Sequence, residues 1–157
     1  QRWSTYTPED QGVVILYGSI YGNTENAANV LACALAEKGV KNIAVYDVSS
    51  AHVSQAIAEA FRVSHIVLAS PTYNGGLYPA MEHVLLDMKA LYLQNRTVTL
   101  IENDSWASTS AKQMRAILET MKNITVMETS ISVKSALRDD QLAQIEDLAG
   151  QIASEIL

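Results

Sequence analysis

The 157-residue sequence has a single cysteine, Cys33, so it can neither staple a small disulfide scaffold nor build a multi-cysteine metal or iron–sulfur site. Any cofactor must be held by other groups, and a reducing, cytoplasmic setting is expected. Basic residues are also few: 11 Lys and Arg stand against 17 Asp and Glu, a formal charge of −6, which repels a polyanion and makes nucleic acid an unexpected partner. No apolar run approaches the roughly 18 residues of a membrane span, and no basic-then-apolar leader opens the sequence, so no membrane association is expected. Only 3 Pro and 7 Gly interrupt a chain that is 48% hydrophobic, which excludes disorder, collagen and low complexity and fits one globular domain with a real core.

Residues 1–11 show no period and read as a lead-in or linker tail; the domain is expected over 12–157. Val13-Val14-Ile15-Leu16-Tyr17, bounded by Gly12 and Gly18, reads as a strand buried on both faces. Apolar residues then recur at Ala27, Val30, Leu31, Ala34 and Leu35, one face of a helix that Lys38-Gly39 would end. The alternation repeats with strands over 42–46, 65–69, 97–101 and 124–133. Helices are predicted over 50–61, from Pro79 with Met81, Val84, Leu85 and Met88 inward, around Met114, Ile117, Leu118 and Met121, and around Leu142, Ile145, Leu148 and Ile152. Five strands joined by helical crossovers predict an α/β fold, a doubly wound parallel sheet with helices on both faces. Ligands of such sheets bind beyond the carboxyl ends of the strands, where strand order reverses.

The loop after the first strand, Ser19-Ile20-Tyr21-Gly22-Asn23-Thr24, is rich in hydroxyls, and Gly22 allows the backbone to approach an anion. Between Arg2 and Lys38 there is no Lys or Arg. A GxxxxGK[ST] phosphate loop and a GxGxxG dinucleotide loop are both absent. These residues suit one monoester phosphate held by neutral dipoles and a helix end, or else an ordinary turn capped by Thr24. In Ser70–Pro79, two prolines, two glycines, two tyrosines and an Asn lie between a strand and a helix. The glycine backbone there can approach the polar edge of a flat ring, while Tyr73 or Tyr78 offers an aromatic surface; the alternative is a turn-rich connector whose tyrosines cover the core.

The run Ser-x-Tyr-Gly-Asn-Thr after an apolar strand resembles the phosphate loop of flavodoxins, closest to the flavodoxin-like C-terminal domain of flavodiiron proteins, the A-type flavoproteins. Ala69-Ser70-Pro71-Thr72-Tyr73-Asn74-Gly75-Gly76 is similar to the second loop of that family, and the lead-in with Trp3 resembles the connection that follows its metal-bearing domain. The resemblance implies a flavodoxin-like fold and one FMN, with Ser19, Ile20, Tyr21, Gly22, Asn23 and Thr24 around the phosphate. Pro71, Thr72, Tyr73, Asn74 and Gly75 would lie along the isoalloxazine, together with Asn103, Asp104 and Trp106 of the third loop. It also implies an electron-transfer role beside a diiron metallo-β-lactamase-like domain that reduces O2 or NO, and rubredoxin or a flavin reductase as electron donor. The full-length protein is then a homodimer, the isolated domain a monomer.

The third loop, Glu102-Asn103-Asp104-Ser105-Trp106-Ala107-Ser108, departs from the glycine-rich run of the family and keeps only Trp106 in register. Trp106 is read as a ring contact, with a packing role as its alternative. If FMN binds, Glu102 and Asp104 disfavour an anionic reduced ring by Coulomb repulsion, roughly 2 kcal/mol for a unit charge about 7 Å away at an effective dielectric near 20.

His52, His65 and His83 lack metal-ligand spacing, so no metal site is expected in this chain. Cys33, among alanines on the first helix, is expected to be buried or half-buried, and the methionines are expected to fill the core. Three other functions stay open. An FMN-dependent quinone or NAD(P)H oxidoreductase shares the fold, and so does a domain that no longer binds FMN. A phosphoacceptor domain would need an Asp after the third strand and acids after the first, where Ser70-Pro71 and Gly18-Ser19 stand.

Overall fold

The computed structural model describes residues 10–18, 23–48, 53–73, 76–91, 93–103, 110–127, 131–133 and 139–156. Strands and helices alternate as β1 (Asp10–Tyr17), α1 (Asn23–Glu37), β2 (Ile43–Asp47), α2 (Val53–Arg62), β3 (Val63–Tyr73), β4 (Gly76–Leu77), α3 (Pro79–Ala90), β5 (Arg96–Asn103), α4 (Ser110–Leu118), β6 (Ile124–Val126), β7 (Ile131–Val133) and α5 (Asp139–Ile156). The sheet order is β2-β1-β3-β5-β6, with β7 also beside β5, and every pair along it is parallel. The chain steps outward from β1 to β2 and then back past β1 to β3, so the order reverses between β1 and β3.

Side chains alternate across β1 and feed two cores. Val14 and Leu16 pack with α2, α3 and α4, through Ala56, Phe61, Leu85, Met88 and Met114 among others. Val13 and Ile15 face α1 and α5, through Ala27, Leu31, Leu35, Ile145, Leu148 and Ile152. This two-sided burial explains why β1 reads as an unbroken apolar run. Each fully buried leucine or isoleucine contributes about 1.5–3 kcal/mol of transfer free energy, and Ile15, Leu16, Leu31, Leu35, Ile66 and Leu68 are all at 0% exposure. The predicted end of α1 is a left-handed turn: Gly39 has φ 97°, its N–H donates to Ala36 O, and the Val40 N–H donates to Leu35 O at 3.1 Å. Buried Val40 then packs in the same core as Leu35, the hydrophobic contact that such a terminus carries.

The structure corrects four expectations. Cys33 is exposed on α1, because Leu31, Ala34 and Leu35 take the inward positions around it. Leu142 is 37% exposed; among the described side chains of α5, Ile145 is the first that is buried. Met121 lies beyond the end of α4, where its N–H donates to Leu118 O, although its side chain still packs on the core. The single outer strand predicted over 124–133 is two pieces, β6 and β7. Between the pairs Val98↔Val126 and Ile101↔Ile131 the outer chain carries two more residues than β5, so the ladder is interrupted there. Met81, Met88 and Met114 are buried as predicted.

Candidate functional site

The strand register brings the ends of β1, β3 and β5 to one edge. Tyr17 pairs with Ala69, Ser70 with Glu102 and Pro71 with Asn103, so the carboxyl ends of the three strands lie side by side. Of the residues singled out in the sequence, Asn23 and Thr24 open α1, Pro71, Thr72 and Tyr73 complete β3, and Asn103 completes β5. Ser19, Ile20, Tyr21, Gly22, Asn74, Gly75, Asp104 and Trp106 lie outside the described residues.

Each flank of this edge has a physical basis. β1 ends on hydrogen bonds to both neighbours: the Gly18 N–H donates to Ala69 O at 2.9 Å, and Tyr17 O accepts from the Val48 N–H at 2.9 Å. α1 starts five residues after Gly18 and runs back antiparallel to β1, so its first turn, whose N–H groups have no partner within the helix, lies at the carboxyl edge. Such an end carries positive partial charge and attracts an anion. Among the described residues, acids near it include Glu25, in the first turn of α1, and Asp47, which ends β2 beside Tyr17. Burial, reinforced by Glu25 and Asp47, raises the Tyr17 phenol above its ordinary pKa of 10.0, so Tyr17 is neutral at physiological pH.

The second segment is more ordered than the sequence suggested. β3 continues through Ser70, Pro71, Thr72 and Tyr73, and β4 folds back on it, pairing Thr72 with Leu77 and Tyr73 with Gly76. Ser70 is fully buried in this extension. The hairpin delivers the chain to α3, where Pro79 occupies the first helical position and Tyr78 is the cap residue, with φ −56° and ψ 125°. A residue before proline is held out of the helical region, which fixes where the Tyr78 side chain starts. Its half-buried ring joins the core beneath and lies directly on Gly18: a Cβ added to Gly18 would stand 2.5 Å from Tyr78 Cδ2 and 2.8 Å from Cε2. Tyr78 therefore touches the first segment, a contact across 60 residues that local sequence pattern did not reveal. A glycine ending a buried strand and a Tyr-Pro pair opening a helix are the only traces it leaves.

No family model matches the sequence. The rubredoxin-oxygen oxidoreductase of Megalodesulfovibrio gigas is 28% identical over 141 residues, which cover 90% of this chain and 35% of that protein. The solved structure of rubredoxin oxygen:oxidoreductase from Desulfovibrio gigas superposes with a TM-score of 0.88 at 26% identity, over 98% of this chain and 38% of its own. A flavodoxin from the domain Archaea superposes with a TM-score of 0.76 at 19% identity, over 93% of this chain and 99% of its own. The chain thus spans about a third of the length of the curated relatives it matches, but the whole of a flavodoxin. By fold and by descent, the chain is a flavodoxin-like domain related to the flavodoxin-like part of flavodiiron proteins.

Proposed function

We propose that the domain binds one FMN at the carboxyl edge of β1, β3 and β5 and serves as an electron-transfer module. The observation that carries this reading is that the carboxyl ends of β1, β3 and β5 lie side by side at the point where strand order reverses, between β1 and β3, which is the ligand crevice of sheets with this order. The donor set fits the group. A phosphate monoester needs N–H and hydroxyl donors at a helix start, which the first turn of α1 and the Ser19–Thr24 segment supply without a cation. A flat ring with a polar edge needs backbone donors and acceptors close to it, which the glycine-containing run Tyr73–Gly76 would offer.

When bound, the flavin supplies one-electron chemistry that no side chain of this protein provides. The chain's own contributions are binding and tuning. Ser19, Ile20, Tyr21, Gly22, Asn23 and Thr24 hold the phosphate, and Pro71, Thr72, Tyr73, Asn74, Gly75, Asn103, Asp104 and Trp106 line the ring. Glu102, near the end of β5, and Asp104, two residues further along the sequence, would add negative charge near the ring and lower the potential of a flavin that becomes anionic on reduction.

The match to about a third of larger relatives supports a place in an O2- or NO-reducing flavodiiron protein, whose diiron domain would accept the electrons. A rubredoxin or flavin reductase would then be the donor, and the full-length protein a homodimer. Titration of the purified domain with FMN tests the binding step: the reading predicts one equivalent bound with quenched flavin fluorescence. Absence of binding at high micromolar FMN contradicts it.

A further inference from the structure

Two observations connect the parts of the edge that the FMN reading assigns to opposite ends of the ligand. The backbone at Gly18 is pinned on both sides, through its own N–H to Ala69 O and through Tyr17 O to the Val48 N–H, so Gly18 cannot slide. Tyr78 is equally confined. It is preceded by the β4 pairing, followed by Pro79 at the start of α3, and half-buried against the core. The ring of one lies on the backbone of the other with no room for a methyl group. Gly18 is the last described residue before the segment assigned to the phosphate, and Tyr78 the first residue after the hairpin assigned to the ring.

We infer that Tyr78 is a positioning residue for the phosphate of the flavin: lodged on Gly18, it is a strut that fixes the phosphate segment relative to the hairpin. This rests on the FMN reading above. It assigns Tyr78, offered by the sequence as a possible ring contact, the part of a buttress instead. A strut acting through the phosphate segment has a consequence that a stacking residue does not. Its loss must weaken FMN, which carries the phosphate, far more than riboflavin, which lacks it.

The test compares the wild type with Tyr78→Ala, Tyr78→Phe, Gly18→Ala and the double variant Gly18→Ala/Tyr78→Ala, each titrated with FMN and with riboflavin. Circular dichroism and thermal melting of the apoproteins report folding. We expect Tyr78→Ala to weaken FMN about tenfold or more, because small displacements of a positioned group have large effects, while riboflavin changes less than about threefold. Tyr78→Phe keeps the ring and holds both affinities within about threefold. Gly18→Ala pushes the ring aside and weakens FMN about tenfold by itself, yet costs less than about threefold more once Tyr78 is already alanine, because the methyl then has space.

Equal losses of FMN and riboflavin in Tyr78→Ala would overturn the inference in favour of ring contact. So would independent, multiplicative effects of the two substitutions. If Tyr78→Ala does not fold, Gly18→Ala alone decides: a loss confined to FMN supports the strut, and no loss overturns it. A wild type that binds neither flavin removes the FMN reading and the strut with it, whereas a wild type that binds FMN beside variants that bind it equally removes the strut alone.

Discussion

At the amino edge of the sheet, α2 runs into β3 without an intervening residue, while at the carboxyl edge β1, β3 and β5 hand over to longer polar segments. The amino edge closes on itself. Arg96, 2% exposed at the start of β5, donates to Ala60 O at 3.1 Å and Phe61 O at 2.7 Å, the last-turn carbonyls of α2, and to Gln94 O at 2.6 Å. A cation at a helix C-terminus satisfies carbonyls that have no partner in the helix. Burial lowers its pKa to about 10, so the guanidinium stays charged at neutral pH. Beside it, Asn95 and Asn123 both take left-handed backbone, at φ 64° and 54°, and their side chains join at 3.0 Å. The buried His65 ring lies between Ser64 Oγ at 2.8 Å and Glu155 Oε1 at 3.4 Å, joining β3 to α5. One edge thus joins its polar groups to its own backbone and to one another, and the other carries a helix start with Glu25 and Asp47 beside it. On the proposed reading, the first edge serves stability and the second serves binding.

The largest effect that would separate the two comes from Arg96→Ala. It leaves buried carbonyls of α2 without donors and should lower stability by about 3 kcal/mol in chemical denaturation, while FMN affinity stays within about twofold of wild type because the sites are far apart. The reverse signature belongs to Glu102→Gln, at the carboxyl end of β5. It removes one negative charge from the binding edge and should raise the reduction potential of the bound flavin by an amount equivalent to up to about 2 kcal/mol in redox titration, with little change in melting temperature. Gly39→Ala, at the amino edge, forces a Cβ into φ 97° and should cost about 1–2 kcal/mol without touching flavin binding.

The smallest effect is a pH dependence of the carboxyl edge. Because the folded state raises the Tyr17 pKa above 10.0, it holds that proton more tightly than the unfolded chain. The contribution is full below pH 10 and declines as pH rises through the folded pKa. Denaturation of wild type and Tyr17→Phe at pH 8 and pH 11 should show a steeper loss for wild type.

What the sequence made legible follows its periodicities. The unbroken run Val13–Tyr17 and the spacing of Ala27, Leu31, Ala34 and Leu35 are direct consequences of burial, and so the doubly wound fold and its order of elements could be read. Three features were hidden for physical reasons. Pro71 argues against a strand because it lacks an N–H, yet β3 continues through it at the strand's end, where ladder pairing is about to stop. Arg96 reads as a surface residue, since the carbonyls that bury it come from a helix more than 30 residues earlier. The Tyr78 contact with Gly18 depends on tertiary placement alone. For the site itself, the polar composition of the segments and their grouping at the carboxyl ends of a doubly wound sheet were visible, and the register of β1, β3 and β5 adds which strand-end residues stand opposite one another.

The division between the two edges is tested most directly by amide hydrogen exchange with and without FMN. FMN is expected to slow exchange in segments containing residues 18–26, 70–78 and 101–106, and to leave 38–43, 60–65 and 93–97 unchanged. Protection centred on the amino edge, or none at either edge under saturating FMN, would contradict that division.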